Sequence, residues 1–382
     1  MKKIINYGSH NINKDDIRLV SKALKNSTIT QGPYVENFER DLCTKFMSKF
    51  CTVVSSGSSA LYLVGKILKW KKGDTIITTP ISFLATSNCI ELCNAKTKFI
   101  DIDKKTYTID PNRVESYLKR TKVKIKALIG VDYAGHPCDW KSLRYLANKY
   151  RFTLINDGCH AMGSKINNNV GYACKYADLL TQSYHPVKSF TSGEGGAILS
   201  NNKKWDRELK IFRNNSMIKN EKKQMWKYDM YQPGFNFRLS DINCALGISQ
   251  LSKLDKFIKL RRKIAKQYDK IFENKKNIVR PPVSSNIYHS YHLYPLLIDF
   301  DKLKINKEIF FKKMFKKGIK LQVHYIPLYI QPYYKKKYNL KPKDFVNSTE
   351  FYNKEVSIPI YPGLTKQQIK FISNSILSLI KV

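Results

Sequence analysis

Between residues 75 and 200, short apolar runs rich in β-branched residues alternate with segments of helical periodicity. The runs predicted as strands cover residues 75–79, 98–102, 127–131, 152–156, 179–183 and 196–200. Because helical segments separate these runs, the strands are predicted to pair in parallel beneath covering helices. The alternation therefore predicts an α/β fold with a mostly parallel central sheet flanked by helices.

Helices are predicted on both sides of this sheet. Residues 59–70 carry apolar side chains at helical spacing, and residues 139–150 do so behind an acidic start. One long amphipathic helix is predicted from Ser240 to about Phe272, with Ser240 and Asp241 as its N-terminal caps. This helix is expected to connect two domains.

The length of the chain, 382 residues, exceeds the usual size of a single domain. We predict a large domain over residues 1–250, with an N-terminal arm. A smaller C-terminal α+β domain is predicted over residues 251–382, including the linking helix and strand-like runs at 291–297 and 319–324.

Lysine and arginine outnumber aspartate and glutamate by 68 to 30, so the formal net charge is +38. Such a balance can indicate binding to nucleic acid or to an anionic surface. Here basic pairs recur along the whole chain and do not cluster on one helix or tail, so no specific nucleic-acid partner is expected. No export signal and no long uncharged apolar stretch are present, so we expect no membrane partner and a cytoplasmic location.

The eight cysteines are scattered along the sequence. Cys89 and Cys93 lack the paired CxxC elements and the histidine partners of a zinc site. We therefore expect buried free thiols and no bound metal.

The segment SYHPVKSFTSGEGG, residues 183–196, places a lysine in a loop rich in glycine, serine and threonine between two predicted strands. Lys188 should then lie at the carboxyl end of the sheet, where α/β proteins bind ligands. A lysine in so basic a chain is ordinarily a solvated surface charge. Its neighbours therefore decide whether it has a chemical role.

An acidic residue is predicted at the same edge of the sheet. The segment LINDGCHA places Asp157 just past the strand at 152–156, with His160 one turn further on. An aspartate at this position can also be a simple helix cap. Together with Lys188, however, it forms a candidate pair of charged groups.

Two more motifs are predicted near this edge. VVSSGSSAL places Gly57, Ser58 and Ser59 at a helix start, where free N–H groups and the helix dipole favour an anion, although serines also cap helices. ITTPISFLAT places Phe83 after a strand, where its face could stack on a flat ring, although most phenylalanines are core residues. Each motif alone is weak, and their combination is informative.

In this order, the motifs resemble the DegT/StrS family of sugar aminotransferases, which has the type I aspartate-aminotransferase fold. The resemblance covers nearly the whole chain. It also includes TQGPYVENFE at 30–39, VDYAGHPCD at 131–139 and GFNFRLSDINCALGISQL at 234–251. It implies the cofactor pyridoxal 5′-phosphate, which needs a lysine for its Schiff base, a carboxylate at its ring nitrogen and donors around its phosphate.

The resemblance also implies a role for each candidate residue. Lys188 binds the cofactor covalently, and Asp157 pairs with its pyridine nitrogen. Phe83 stacks on the ring, and His160 neighbours it where other family members often have glutamine. The residues implied to hold the phosphate are Gly57, Ser58, Ser59 and Ser183.

The GFNFR-like motif implies a dimer with shared active sites. In the family, its asparagine reaches the cofactor phosphate of the neighbouring subunit, which assigns Asn236 here. Arg238, His324 and Tyr325 are candidate contacts for the substrate. A nucleotide diphosphate needs cationic partners, and Arg238, His324 or nearby lysines could supply them.

Within the family, SYHPVK, GEGG, PISFLATSN and QVHYIPLYIQPYY are most similar to the aminotransferases of the pseudaminic-acid pathway. Such enzymes transfer the amino group of glutamate to C4 of a UDP-linked 2-acetamido-2,6-dideoxy-4-keto-hexose. A GDP- or dTDP-linked keto-deoxysugar is the alternative substrate. A catalytically inactive binding protein on the same scaffold is a further alternative, and a sugar-dehydrating branch is disfavoured because it has histidine in place of Lys188.

Overall fold

The computed structural model describes residues 4–219, 224–281 and 283–380. The helices in these ranges are α1 Lys14–Leu24, α2 Pro33–Phe46, α3 Gly57–Ile67, α4 Leu84–Leu92, α5 Pro111–Arg120, α6 Trp140–Tyr150, α7 Tyr172–Tyr176, α8 Lys203–Arg213, α9 Asp241–Leu251, α10 Leu254–Ile271, α11 Lys307–Lys316, α12 Pro332–Tyr338, α13 Val346–Lys354 and α14 Lys366–Ile380. The strands are β1 Phe50–Val54, β2 Thr75–Thr78, β3 Lys96–Phe99, β4 Ile125–Val131, β5 Thr153–Asp157, β6 Lys165–Ile166, β7 Leu179–Ser183, β8 Gly196–Ser200, β9 Ile218–Lys219, β10 Tyr228–Asp229, β11 Ile278–Val279, β12 Ile287–Tyr288, β13 Tyr294–Ile298 and β14 Glu355–Ile358.

A seven-stranded sheet in the order β1-β8-β7-β5-β4-β2-β3 forms the centre of the molecule. Strands β3, β2, β4, β5 and β7 are parallel to one another, and β8 runs antiparallel to both of its neighbours, β7 and β1. The predicted mostly parallel sheet is therefore confirmed. Strand β1 was not predicted, and the strand predicted at 98–102 ends earlier, at Phe99.

Apolar side chains cover both faces of this sheet. One buried cluster includes Phe38, Trp140 and Leu154, and the other includes Leu63, Ile76 and Ile155. Leu154 and Ile155 are adjacent on β5 and point to opposite faces, as strand geometry requires. The sheet is thus buried on both sides, which is typical of parallel sheets.

The prediction of one long helix from Ser240 to Phe272 is wrong in one respect, because two helices, α9 and α10, occupy this stretch. Its start is correct, since the Ser240 side chain accepts a hydrogen bond from the backbone of Asn243. The chain tightens at Lys253, whose N–H donates to the carbonyl of Gln250 at 3.0 Å. The Lys253 amine also reaches the buried carboxylate of Asp16 at 2.5 Å, which holds the bend in place.

A second core surrounds a three-stranded sheet in the order β11-β13-β14. The prediction of a strand at 319–324 is wrong. This run is extended, but it makes only isolated bridges, from Ile319 to Ile5 and from Gln322 to Ser357. Ile5 also belongs to the second core, so the N-terminal segment packs on residues far along the chain. The domain division at residue 250 stays a prediction.

No helix in the described ranges has the length and apolar character needed to cross a membrane. The cytoplasmic location expected from the sequence stays a prediction.

Candidate active site

A cavity of about 540 Å³ opens at the carboxyl edge of the seven-stranded sheet. Strands β4, β5 and β7 each contribute their last residue to its wall, namely Val131, Asp157 and Ser183. The N-terminus of α3 forms a second side. Residues 322–326, from the extended run that reaches β14, form a third. The cavity therefore lies where the sequence predicted a ligand site.

Lys188 lines this cavity because the chain turns back at the sheet edge. Ser183 pairs with Gly196 in the antiparallel register of β7 and β8, so the connecting loop leaves and re-enters the sheet at one point. The loop is closed by hydrogen bonds to the carbonyl of Tyr184, including one of 2.7 Å from Thr191 Oγ1. The Lys188 side chain is partly exposed to the cavity but otherwise surrounded by protein, and this burial lowers the pKa of its amine.

Asp157 is buried in the same wall. Its Oδ2 accepts a hydrogen bond of 2.7 Å from Thr86 Oγ1, and its Oδ1 accepts one of 3.3 Å from the backbone of Cys159. The Thr86 hydroxyl lies 2.7 Å from the hydroxyl of Ser82. The carboxylate is therefore held in one orientation, with Oδ1 the less engaged oxygen.

The start of α3 provides an anion-binding turn. Gly57 is the first residue of the helix, and the first N–H groups of a helix have no intrahelical partner. A Cβ atom at Gly57 would lie 2.7 Å from Ser183 Cβ, so only glycine allows this close approach. Gly57, Ser58 and Ser183 all line the cavity, as predicted from the sequence.

Ser59, the remaining residue predicted at the phosphate, does not line the cavity. Its side chain accepts from the backbone of Ser56 at 2.9 Å, while its own N–H donates to Ser56 Oγ at 3.1 Å. This reciprocal pair is a capping box. Ser59 therefore takes part in capping α3 together with the N-cap residue Ser56, and its predicted role at the phosphate stays a prediction.

Aromatic side chains form one wall of the cavity. Phe83 is 54% exposed, which is unusual for phenylalanine and leaves its ring available to a ligand. Its centroid lies 6.0 Å from that of Tyr325. The Tyr325 hydroxyl lies 2.8 Å from His160 Nε2, and the backbone N–H of Ala134 donates to His160 Nδ1 at 3.3 Å. Since Nδ1 accepts, the proton of the neutral His160 ring is on Nε2. Nε2 therefore donates to the Tyr325 hydroxyl.

Burial and the nearby Lys188 lower the pKa of His324 to about 3. A neutral ring at physiological pH does not favour His324 as a cation for a diphosphate, and its predicted contact with the substrate stays a prediction. His324 nevertheless lines the cavity, as does Tyr325. Both residues can contact a substrate as neutral groups.

Asn236 and Arg238 do not line this cavity. Asn236 is exposed and pairs through its backbone with Asn214. The Arg238 guanidinium donates to Asn214 Oδ1 at 2.8 Å. Within one chain, these two residues are therefore separate from the lysine and aspartate, and their predicted roles stay predictions.

Several cavity residues were not predicted from the sequence. Thr86 lies three positions after Phe83 in the ITTPISFLAT motif, and helical spacing could have placed both on one face. Tyr7, Glu194 and His292 also line the cavity. Tyr7 belongs to an N-terminal segment whose sequence carries no chemical signal.

An amine, a fixed carboxylate, an anion-binding turn and an open aromatic face surround this one cavity. On this fold, they define a pyridoxal-phosphate enzyme of the aspartate-aminotransferase type. The sequence profile of the DegT/DnrJ/EryC1/StrS aminotransferase family matches residues 10–377, and the chain belongs to this family. It is an aminotransferase whose cofactor is pyridoxal 5′-phosphate. The residues present fit this group, because the Lys188 amine, the Asp157 carboxylate and the N-terminus of α3 all line the same cavity as the exposed ring of Phe83.

Characterised relatives are similar along their full length. A UDP-4-amino-4,6-dideoxy-N-acetyl-β-L-altrosamine transaminase of Campylobacter jejuni is 37% identical over 99% of this chain and 98% of its own. The structure of Helicobacter pylori PseC, an aminotransferase in pseudaminic-acid biosynthesis, matches with a TM-score of 0.91, 30% identity and 99% coverage of both chains. A Streptococcus pneumoniae protein solved in its PLP form shares the fold, with a TM-score of 0.90, 24% identity and 98% coverage of both chains.

Proposed function

We propose that the enzyme transfers the amino group of glutamate to the C4 keto group of a UDP-linked 2-acetamido-2,6-dideoxy-4-keto-hexose. The observation that carries this proposal is the 37% identity, over nearly the full length of both chains, to a transaminase named for the corresponding amino sugar. The 30% identity to PseC supports the same substrate class. A GDP- or dTDP-linked keto-deoxysugar is the alternative.

Lys188 is the proposed proton carrier of the reaction. When bound, pyridoxal phosphate takes up the amino group and withdraws electrons from the carbon that loses its proton. The Lys188 amine accepts the proton from Cα of glutamate and, in the second half of the reaction, delivers one to C4 of the sugar. A base must be unprotonated to act, and burial lowers the pKa of Lys188 in the required direction.

The other cavity residues have positioning roles in this proposal. The less engaged Oδ1 of Asp157 pairs with the pyridine nitrogen, since Oδ2 is occupied by Thr86. The N-terminus of α3, with Ser58 and Ser183, binds the phosphate. Phe83 packs against the ring from the open side.

The substrate proposal is tested by supplying keto sugars linked to UDP, GDP and dTDP together with ¹⁵N-glutamate. Mass spectrometry would follow ¹⁵N into the sugar nucleotide, and Lys188→Ala would serve as the control. We expect kcat/KM for the UDP-linked sugar to exceed the others by at least about tenfold. A preference for GDP or dTDP would replace the substrate assignment, and no transfer to any sugar would contradict the function.

We further propose that two chains share their active sites. Asn236 is exposed and does not line the cavity of its own chain, so it is available to a partner. Near it in sequence, Met225, Trp226 and Tyr231 are 90%, 79% and 80% exposed. Large apolar side chains grouped on a surface are typical of a contact with another protein. In this arrangement Asn236 donates to the cofactor phosphate of the second subunit.

A further inference from the structure

A buried polar cluster lies next to the cavity and has no part in the roles proposed above. Glu355 and Ser357 occupy alternate positions on β14, so their side chains lie on one face of the strand. They are 0% and 1% exposed. Both contact His324, which lines the cavity. The cluster therefore connects a buried acid to a residue of the active site.

The hydrogen bonds in this cluster have a defined direction. Glu355 Oε2 accepts from the backbone N–H of His324 at 3.0 Å, and Oε1 lies 2.5 Å from Ser357 Oγ. A separation of 2.5 Å is typical of a hydroxyl that donates to a carboxylate. Ser357 Oγ also lies 2.8 Å from His324 Nδ1. Because the single hydroxyl proton is used on Glu355, the proton between Ser357 and His324 must be on Nδ1.

The charge states of Glu355 and His324 agree with hydrogen bonds that run from His324 through Ser357 to Glu355. Burial raises the pKa of Glu355 to about 7, and the neighbouring Lys307 partly offsets this rise. Both oxygens of Glu355 accept hydrogen bonds, from the His324 N–H and from Ser357 Oγ, as expected of an ionised carboxylate. Burial lowers the pKa of His324 to about 3, so its ring is neutral and carries one proton. With that proton on Nδ1, Nε2 has a free lone pair.

The lone pair of His324 Nε2 is directed to space that a ligand can reach. Nε2 has no hydrogen-bond partner among the described residues. It is also not fully buried, since it is absent from the fully buried atoms that lack a partner. His324 contributes to the wall of the cavity, so the exposed part of its ring is there. The cavity consequently presents a neutral hydrogen-bond acceptor at this position.

We propose that Glu355, acting through Ser357, holds His324 in the Nδ1–H tautomer, so that Nε2 accepts a hydrogen bond from a hydroxyl or amide N–H of the sugar. Glu355 and Ser357 are positioning residues, and His324 selects substrates with a donor at this point. Only the identity of the donor rests on the proposed function. The tautomer is a property of the enzyme itself.

The tautomer is tested by NMR of the holoenzyme at pH 8 with ¹⁵N-labelled histidine rings. The His324 signals are assigned by their loss in His324→Gln. We expect protonated Nδ1 and unprotonated Nε2 in the wild type, and a gain of the Nε2–H form in Ser357→Ala. The matched control is Ser373→Ala, which removes an equally buried hydroxyl that bonds only the carbonyl of Ile369 in α14. An Nε2–H tautomer in the wild type, or no change in Ser357→Ala, overturns the proposal.

Kinetics test the substrate contact separately. In Ser357→Ala, we expect KM for the keto sugar to rise about tenfold, as for loss of one hydrogen bond, while kcat changes less than about twofold. Ser357→Thr keeps the hydroxyl and should restore most of the affinity. Circular dichroism checks that both variants fold, and Glu355→Gln provides a second variant. If the tautomer changes but KM does not, the acceptor role of Nε2 is wrong. If no keto sugar is turned over by the wild type, the substrate assignment fails and the NMR result still decides the tautomer.

Discussion

The hydroxyl of Thr86 lies 2.7 Å from Asp157 Oδ2, and both residues are buried at the cavity wall. A carboxylate only accepts hydrogen bonds, so Thr86 is the donor. Its oxygen must then accept from Ser82, which lies 2.7 Å away. This chain of two hydroxyls fixes the carboxylate and leaves Oδ1, the oxygen proposed to pair with the cofactor nitrogen, the less engaged of the two.

Asp157→Asn should lower kcat by at least about 100-fold while the protein still binds the cofactor. A neutral amide cannot stabilise a protonated pyridine nitrogen, and one pKa unit of that nitrogen corresponds to about 1.4 kcal/mol. Steady-state kinetics with glutamate and a titration of cofactor binding measure the two effects. Unchanged turnover would mean that another acid serves the ring nitrogen.

Thr86→Val should have a smaller effect, about tenfold in kcat, because it removes the hydroxyl that donates to Asp157 and accepts from Ser82 but keeps the charge of Asp157. Valine has nearly the same shape as threonine, so the main change is the loss of the hydroxyl. Comparing kcat of Thr86→Val and Asp157→Asn in one kinetic assay separates the effect of the carboxylate's orientation from the effect of its charge. If kcat fell as much in Thr86→Val as in Asp157→Asn, the charge of Asp157 would not be the larger factor.

Lys188→Ala should abolish turnover and the visible absorption of the lysine-bound cofactor, with an unchanged circular dichroism spectrum. Lys204→Ala is the matched control, because Lys204 is an exposed lysine on α8. The control should retain wild-type activity and absorption. Residual normal activity in Lys188→Ala would remove Lys188 from its assigned role.

Mixing Lys188→Ala with Asn236→Asp chains should restore part of the activity that each variant lacks. In a hybrid dimer, one site receives an intact lysine from one chain and an intact asparagine from the other. Asn236→Asp should be weak alone because its carboxylate repels the phosphate. Activity and sedimentation of the mixture are measured together. Hybrids without activity, or an active monomer, would disprove the shared site.

Asp132→Asn should destabilise the fold by about 2–4 kcal/mol, because two buried donors would then face an amide nitrogen. Asp132 Oδ1 accepts from Cys138 N and Trp140 Nε1, and Oδ2 accepts from Asn156 and Tyr172. Chemical denaturation measures the change in the unfolding midpoint.

The control for this stability prediction is Asp139→Asn. Asp139 caps α6 from an exposed position, and asparagine caps helices equally well. We expect a change below about 0.5 kcal/mol, as for surface substitutions. Equal destabilisation by both substitutions would contradict the importance of the buried network.

Local sequence was sufficient for much of the fold. Strands β7 and β8 have the predicted bounds, because each apolar run ends in a polar loop. The break between α9 and α10 was missed, because the apolar periodicity continues across it. At this break Lys253 contacts Asp16, which lies far away in sequence, so the local pattern could not show it.

Within the site, the residues at strand ends and helix starts were predictable from the sequence. Lys188, Asp157 and Gly57 meet at one cavity for this reason. The residues that contact the cavity side chains from elsewhere in the fold were not predictable. Ser357 contacts His324 only because β14 packs beside the extended run at 322–326.

The reciprocal hydrogen bonds between Ser56 and Ser59 hold the first turn of α3 from within the chain and do not involve the N–H groups of Gly57 and Ser58. The turn therefore keeps its shape whether or not an anion is bound. Cofactor docking then requires little local ordering, so its entropic cost is low. Exchange of one cofactor molecule for another should accordingly proceed as rigid docking, with no folding step at the phosphate.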